Sequence, residues 1–290
     1  MSDILHTRAR LGATPATVYH ALTDPEALRT WLAEHADVSL PHRRFAFWGC
    51  TTPQGQPDRQ QLLAAEPERL LRFIWTLDGE PTTVDIQLRP DGNGTALSLR
   101  HDNLPTLEEL MAPPGRRDGR HTMHTFWGQA VANLAAHVEG RGLLPMADFS
   151  ATRSPEIRIE LAIAAAADDV FASLIDPARI RDWFGWEAQV EPHAGGRVTL
   201  GIDGKIFEFD PPKRLAYADG QGAVVRWELA DSGGRTHLTF VQSGYADTEL
   251  DNAAQHEAGW LGSLAELRRM HELGDAWAPL TTELPADDDR

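Results

Sequence analysis

The residues in this sequence most suited to chemistry are two candidate proton-transfer groups, one in each half of the chain. His101 ends the run "ALSLRH", where alternation places Leu97, Leu99 and His101 on one face of a β-strand. An imidazole beside Asp102 has the chemistry of a general base, and the same pattern equally fits a histidine held by hydrogen bonds. Tyr245 is the comparable candidate in the second half. Neither residue receives a catalytic role from this pattern alone.

A repeated motif also carries charged side chains at a fixed spacing. The stretch "ALTDPEALRTWL" (21–32) returns in altered form as "SLIDPARIRDWF" (173–184). One interpretation makes the Asp and Arg of each copy an acid–base pair. The other follows from proline, which disfavours the α conformation in the residue before it and fits the first position of a helix. Each Asp is then an N-cap, and the motif predicts a joint between two short helices rather than a catalytic site.

Other kinds of site find little support. The turn "DGNGTA" (91–96) lacks the third glycine and the Lys-Ser/Thr of phosphate-binding loops. His121 and His124 are three residues apart, but no third ligand is evident, so the sequence predicts no metal site and no cofactor. Cys50 is the single cysteine, and because it follows an apolar run it is predicted to be a small buried side chain.

Composition limits the class of protein and its partners. The chain has 290 residues, of which 42% are hydrophobic and 24% charged, as in soluble globular proteins. Its formal net charge of −16 disfavours nucleic acid and anionic membrane surfaces. It begins without a signal-like apolar core and has no apolar run of the length that spans a bilayer. We therefore expect a cytoplasmic protein that neither binds nucleic acid nor inserts into a membrane.

Four pairs of motifs in the same order indicate that the chain contains two copies of one unit. This self-similarity predicts a first domain at 1–141, a linker at 142–154, a second domain at 155–275 and a solvated acidic tail at 276–290. Besides the Asp-Pro motif, the pairs are "LAAEPERLLRFIW" (63–75) with "FEFDPPKRLAYAD" (207–219), "GNGTALSLRH" (92–101) with "SGGRTHLTFVQ" (232–242), and "HTFWGQAVANLAAHVEG" (124–140) with "EAGWLGSLAELRRMHELG" (257–274).

Each copy has the same predicted order of elements. A strand with alternating apolar residues comes first, followed by the two short helices of the Asp-Pro motif and a series of strands. Asp-Gly and Gly-Gly pairs separate the strands and favour hairpins, hence antiparallel pairing. An amphipathic helix that starts near Trp127 or Trp260 ends each copy, and its apolar face needs the sheet as a partner. The predicted fold class is α+β.

The order of these motifs resembles a known family. Asp-Pro-x-x-apolar-Arg-x-Trp-apolar is followed by "HAGGRVTL" (193–200), "DPPKRLAY" (210–217) and "GWLGSLAEL" (259–267). This order is similar to the activator-of-heat-shock-protein-90-ATPase homologue-type domain of the SRPBCC superfamily, also called START-like or birch-pollen-allergen-like. The resemblance covers nearly all of both copies and is clearer in the second. In the first copy "PHRRFAFWG" (41–49) replaces the Gly-Gly segment, and Phe126 replaces the glycine before the final Trp.

The resemblance implies two tandem helix-grip domains, each a curved antiparallel sheet around a long C-terminal helix with a cavity between them. It also implies a function, which is the binding of a hydrophobic or aromatic small molecule in one or both cavities without turnover. Two alternatives stay open: a cyclase-, dehydratase- or hydrolase-like enzyme that uses His101 or Tyr245, and a regulatory protein that acts on a chaperone through its surface. A chaperone partner has no support in the sequence itself.

In such a fold, aromatic side chains on the strands and on the gripping helix are expected to line the cavity. Flat rings and an indole N–H suit a ligand with both apolar and polar parts, and the same rings also fit a filled core. The predicted ligand-binding residues are Trp48, Trp75, His101, Trp127, Trp186, Trp227, Gln242, Tyr245 and Trp260.

Overall fold

The computed structural model describes residues 3–106, 109 and 119–283, and it divides the chain into two compact units. Unit 1 comprises Met1–Arg153, Ala254–Gly262 and Leu280–Arg290, and unit 2 comprises Ser154–Ala253 and Ser263–Pro279. Each half of the chain has an antiparallel sheet and a long helix at its C-terminal end. The fold is the predicted α+β helix-grip class, in two tandem copies.

In the described part of the first half, three α-helices and seven strands have defined bounds. Its elements are β1 (Asp3–Leu11), α1 (Pro15–Thr23), α2 (Pro25–Trp31), β2 (His35–Ser39), β3 (Arg44–Trp48), β4 (Gln60–Glu66), β5 (Leu70–Leu77), β6 (Glu80–Asp91), β7 (Gly94–Leu104) and α3 (Met123–Val138) among the described residues.

The second half keeps this order with five described strands instead of six between its short helices and its long helix, and it adds one short strand at its end. Its elements are β8 (Ile157–Ile163), α4 (Ala167–Ile175), α5 (Pro177–Phe184), β9 (Arg197–Val198), β10 (Gly204–Asp210), β11 (Arg214–Ala218), β12 (Val224–Asp231), β13 (Thr236–Ser243), α6 (Leu250–Leu273) and β14 (Thr281–Glu283) among the described residues.

The two main sheets share the order of five strands and differ in the edge that carries the sixth strand. One has the strand order β14-β1-β7-β6-β5-β4, and the other has the order β8-β13-β12-β11-β10-β9. All neighbouring strands pair antiparallel, as the hairpin signals predict. At the β5–β6 turn, for example, Asp78 and Gly79 both adopt positive φ, of 56° and 80°, which is the backbone of the favoured two-residue hairpin. Strands β2 and β3 form a separate two-stranded sheet.

The two sheets also share one irregularity. The register shifts by one residue where β4 pairs with β5 and where β10 pairs with β11. The unpaired residues are Leu63 and Phe207, and both side chains are exposed although they are large and apolar. A β-bulge re-aims the side chain of its extra residue, which accounts for the shared exposure.

The Asp-Pro joint caps a helix in both copies. The Asp24 carboxylate accepts a hydrogen bond from the Ala27 amide at 2.9 Å, and that of Asp176 accepts one from the Ala178 amide at 2.8 Å. In each case the proline occupies the first turn of the helix, where a backbone N–H would have no partner. The predicted role of these two carboxylates as caps is confirmed.

A buried tryptophan ties the second helix of each joint to the first. The Trp31 indole donates to the carbonyl of Ala21 at 2.9 Å, and the Trp183 indole donates to that of Ser173, also at 2.9 Å. Both tryptophans are 2% exposed. Because each indole satisfies a carbonyl near the end of the first helix, the angle between the two helices is held at both ends of the joint.

Helix α3 lies in the core of unit 1. Eleven of its 16 residues are buried, including Phe126, Trp127 and Leu134. In unit 2 the last turns of α6 bury Leu264 and Leu267 completely. No helix in the described ranges is both long enough and apolar enough to cross a membrane.

The segment predicted as a linker, residues 142–154, is hydrogen-bonded to helix α3 of unit 1. The Asn133 side chain donates to the Leu144 carbonyl at 2.8 Å and accepts from its amide at 3.1 Å. The Gln129 side chain accepts from the Ala147 amide at 3.1 Å. Two polar side chains of α3 therefore satisfy the backbone of a segment that has no regular structure of its own.

Two expectations differ from the structure. The tail was expected to be solvated from residue 276, but Leu280 is buried and β14 pairs with β1, with Thr7 opposite Glu283. Residues 284–290 lie outside the described range. Cys50 was predicted to be buried and is exposed, because it follows the end of β3 in a turn rather than within the strand.

Replacement of the capping carboxylates provides a test of the joint. We expect Asp176→Ala to lower the free energy of unfolding by about 1 kcal/mol, since the amides of the first turn lose their acceptor. Asp176→Asn, which keeps a side-chain oxygen at the cap, is expected to cost only a few tenths of that value. Urea unfolding measures both. An alanine variant as stable as the parent would contradict the capping role.

Candidate functional site

His101 lies at the centre of unit 1 and is fully buried. It sits on β7, and the Trp127 indole of α3 donates to its Nδ1 at 2.9 Å. An indole N–H only donates, so Nδ1 is the acceptor and Nε2 carries the proton. Nε2 lies 2.7 Å from the hydroxyl of Thr82, which in turn donates to the carbonyl of Trp75 at 2.7 Å. The imidazole is thus a neutral link in a completed chain of hydrogen bonds.

Burial determines the charge state of this histidine. Removal from water lowers the pKa of His101 to about 3, with a smaller contribution from His124 in the same direction. The group therefore stays neutral at physiological pH. With both ring nitrogens engaged and 0% of its surface exposed, it has the properties of a structural histidine rather than of an accessible base.

Aromatic rings fill the space around His101. Trp75 stacks on the imidazole with the ring centroids 6.3 Å apart, and Trp127 meets both rings edge to face. Phe126 and Phe47 also pack against Trp75, with their ring centroids 5.4 Å and 5.0 Å, respectively, from that of Trp75. Sheet and helix meet here through side chains in mutual contact. The predicted residues Trp75, His101 and Trp127 are brought together as expected, and ligand binding by them stays a prediction.

The remaining predicted residues are dispersed. Trp227 is fully buried on β12, where its indole donates to the Tyr217 hydroxyl at 3.3 Å. Burial raises the pKa of that tyrosine well above its usual range. Gln242 is buried on β13 and Trp260 is buried on α6, whereas Trp48 on β3 and Tyr245 after β13 are partly exposed. Their roles in binding also stay predictions.

The sequence predicted Trp186 on a strand, but in the structure it lies outside any strand. Helix α5 ends at Gly185, which has a φ of 81°, and the chain then continues without regular structure. The Trp186 side chain is 69% exposed, more than any other large apolar residue among those described. An indole in this position is available to a ligand or to solvent.

A cleft of about 580 Å³ lies in unit 2. The three residues that follow Trp186 in the sequence line part of it. It is bordered by the start of α5, by the segment that follows Trp186, and by β9 with the residue after it. Its lining is mostly polar. The lining residues are Pro177, Ala178, Arg181, Glu187, Ala188, Gln189, Arg197 and Thr199.

Hydrogen bonds hold the far wall of the cleft in place. The Gln189 amide donates to the Thr199 hydroxyl at 2.8 Å, and the Thr199 amide donates to the Gln189 carbonyl at 2.9 Å. Arg197 forms a salt bridge with Asp203 at 2.7 Å, which raises the pKa of the guanidinium and lowers that of the carboxyl. The wall is therefore formed before any ligand arrives.

Sequence reasoning missed most of this cleft. Arg181 was considered only as a partner of Asp176, but the Asp176 carboxylate faces the backbone amides of Ala178 and Arg179. Arg181 lines the cleft instead. The signal that was available is the difference between the two copies of the motif, in which Ala178 stands where the first copy has Glu26. Across the described ranges, no three His, Cys, Asp or Glu side chains gather as a metal site would require.

Comparison with known families gives one match of high coverage. The family described as "Activator of Hsp90 ATPase homolog 1-like protein" matches this chain over residues 12–139 and again over 164–272. The two segments correspond to the two copies of the repeated unit. No curated protein sequence matches the chain.

Several solved structures are similar at low identity. The Aha1 dimer of Colwellia psychrerythraea is 17% identical over 41% of this chain and 98% of that chain, with a TM-score of 0.38. CalU16 of Micromonospora echinospora is 25% identical over 43% of this chain and 77% of its own, with a TM-score of 0.35. DynU16, from the dynemicin biosynthetic locus, is 16% identical over 92% of this chain and 98% of its own, with a TM-score of 0.35.

The neutral state of His101 predicts a pH dependence of stability. The folded state resists protonation down to about pH 3, whereas the unfolded imidazole binds a proton near pH 6.5. The stabilising contribution is therefore complete above pH 6.5 and is lost as the pH falls below it, by up to about 1.4 kcal/mol per pH unit.

The matched variant is His101→Gln, because Gln242 occupies the corresponding position in the second copy. Glutamine can accept from Trp127 and donate to Thr82 without titrating. Urea unfolding at pH 7.5, 6.5 and 5.5 should show a steeper loss of stability for the parent protein than for the variant. Parallel curves for the two proteins would mean that His101 protonates in the folded state.

Proposed function

The chain belongs to the family of Activator of Hsp90 ATPase homolog 1-like proteins, and on this basis we propose that it binds a small molecule without turnover. The proposed site is the cleft of unit 2, and the proposed ligand has an aromatic or apolar part. The observation that carries the proposal is the cleft itself, because its volume of about 580 Å³ lies within the range that holds metabolite-sized ligands.

The position of Trp186 supports an aromatic ligand. This side chain is exposed, and it precedes Glu187, which lines the cleft. An indole has only two side-chain torsions to fix on binding, and it provides a flat apolar surface with one hydrogen-bond donor. The combination of a polar lining with an exposed indole at the preceding position of the sequence suits a ligand that has both kinds of surface.

The absence of turnover is proposed from the state of the best proton-transfer candidate. His101 is buried, neutral and engaged at both nitrogens. A general base has to reach the proton that it removes, directly or through one water molecule. His101 belongs to unit 1, and it is not among the residues that line the cleft of unit 2.

The test is a titration of the isotope-labelled protein with 2-naphthamide and 2-naphthoate, a neutral and an anionic aromatic probe. We expect at least one probe to shift the indole signal of Trp186 and the amide signals of Ala178 and Thr199. A bound probe also stabilises the fold, by about 2.7 kcal/mol at 100 times its dissociation constant. Native mass spectrometry of the freshly purified protein searches for the natural ligand.

The variant Ala178→Trp serves as the blocked form, since it places an indole at the cleft lining. Ala230→Trp is the matched control, because Ala230 is exposed on β12 and does not line the cleft. Probe binding should be lost in the first variant and kept in the second. If both probes bind the blocked form as they bind the parent, the cleft is not the binding site.

A further inference from the structure

The two copies of the Asp-Pro joint differ in the residue that follows the proline. That residue determines whether the arginine three positions later has an ionic partner. In the first copy Arg29 forms an ion pair with Glu26, three residues before it on α2. It also donates to the Ala36 carbonyl at 3.1 Å. The charge of Arg29 is therefore paired within its own unit, and two of the five N–H donors of its guanidinium are engaged.

In the second copy the partner is missing. Ala178 stands at the position of Glu26, and Arg181 stands at the position of Arg29. Within the described part of the chain, no hydrogen bond or ion pair engages the Arg181 guanidinium. Ala178 and Arg181 both line the cleft, so the replacement of a glutamate by alanine frees a cation and opens the space beside it.

The charges around the cleft favour an anion at Arg181. Of the two guanidinium groups in the lining, that of Arg197 already pairs with Asp203 at 2.7 Å. Glu187 is the one acidic residue among the lining residues. An available guanidinium presents its donors in a planar fork that fits the two oxygens of a carboxylate or phosphate.

We infer that the cleft of unit 2 takes a small molecule with a carboxylate or phosphate group, and that Arg181 recognises this group. The inference rests on the proposed binding function and specifies its ligand class. Recognition is confined to the second copy, because in the first copy the corresponding arginine, Arg29, forms an ion pair with Glu26. The Asp176 carboxylate already satisfies the amides of Ala178 and Arg179, so the anion is held by the side chain of Arg181 and not by the helix terminus.

The experiment compares anionic and neutral probes on the full chain. Dissociation constants are measured for 2-naphthoate, 2-naphthyl phosphate and 2-naphthamide by the shift of the Ala178 and Thr199 amide signals. We expect the anions to bind more tightly than the amide. The ratio between 2-naphthoate and 2-naphthyl phosphate tells which anion the cleft prefers.

Two variants remove the proposed contact in different ways. Arg181→Gln deletes the charge, and Ala178→Glu gives Arg181 the partner that Arg29 has. Either change should weaken binding of the anions by roughly 10-fold or more, since hydrogen bonds to charged groups contribute about 1.5–3 kcal/mol. Binding of 2-naphthamide should change little. Ala178→Glu is expected to fold, because an acidic residue in the first turn of a helix is favourable.

Arg179→Gln is the matched control. Arg179 is an exposed neighbour on the same helix that does not line the cleft, and its loss should leave all three dissociation constants unchanged. If the anions bind Arg181→Gln and the parent equally, the ligand class is wrong while the binding function stands. If no probe binds the cleft of the parent, the binding function and the ligand class both fail.

Discussion

A proline that follows an aspartate sets the geometry on which both units depend. The ring removes one backbone donor and keeps the preceding residue out of the α conformation, so a helix ends and another begins at that point. The carboxylates of Asp24 and Asp176 then satisfy the new helix, and the indoles of Trp31 and Trp183 satisfy the old one. Local backbone chemistry thus fixes the angle between two helices before tertiary packing contributes.

The two copies of the joint share the residues that hold the helices and differ at the position that follows the proline. Its capping aspartate, proline and tryptophan are all needed to hold the helices, so these residues recur. The position after the proline is exposed in both copies and has no such duty. A glutamate there neutralises the arginine one turn later, and an alanine leaves it available. The duplicated element thus keeps its structural role in both copies and leaves its arginine without an ionic partner in the second.

The sequence was sufficient for the fold and insufficient for the site, for physical reasons. Caps, hairpin turns and helical periodicity are local, and the four repeated motifs carried them clearly enough to predict both sheets and both closing helices. The environment of His101 depends on Trp127, Thr82 and Trp75, which come from three other elements, so alternation alone placed its face but not its partners. Trp186 was predicted on a strand, but it follows the end of α5 in a segment without regular structure. The residues that line the cleft come from α5, from β9 with the residue after it, and from the segment between them. That segment has no periodic pattern from which its position could be predicted.

The pairing of β14 with β1 has a consequence for how the protein is made. The strand paired with β1 consists of residues 281–283, so the sheet of unit 1 lacks this edge strand until those residues have left the ribosome. During synthesis, β1 would present unpaired backbone groups, which is the kind of edge that promotes association between nascent chains. Unit 1 therefore gains this edge strand only after the strands of unit 2 have been synthesised.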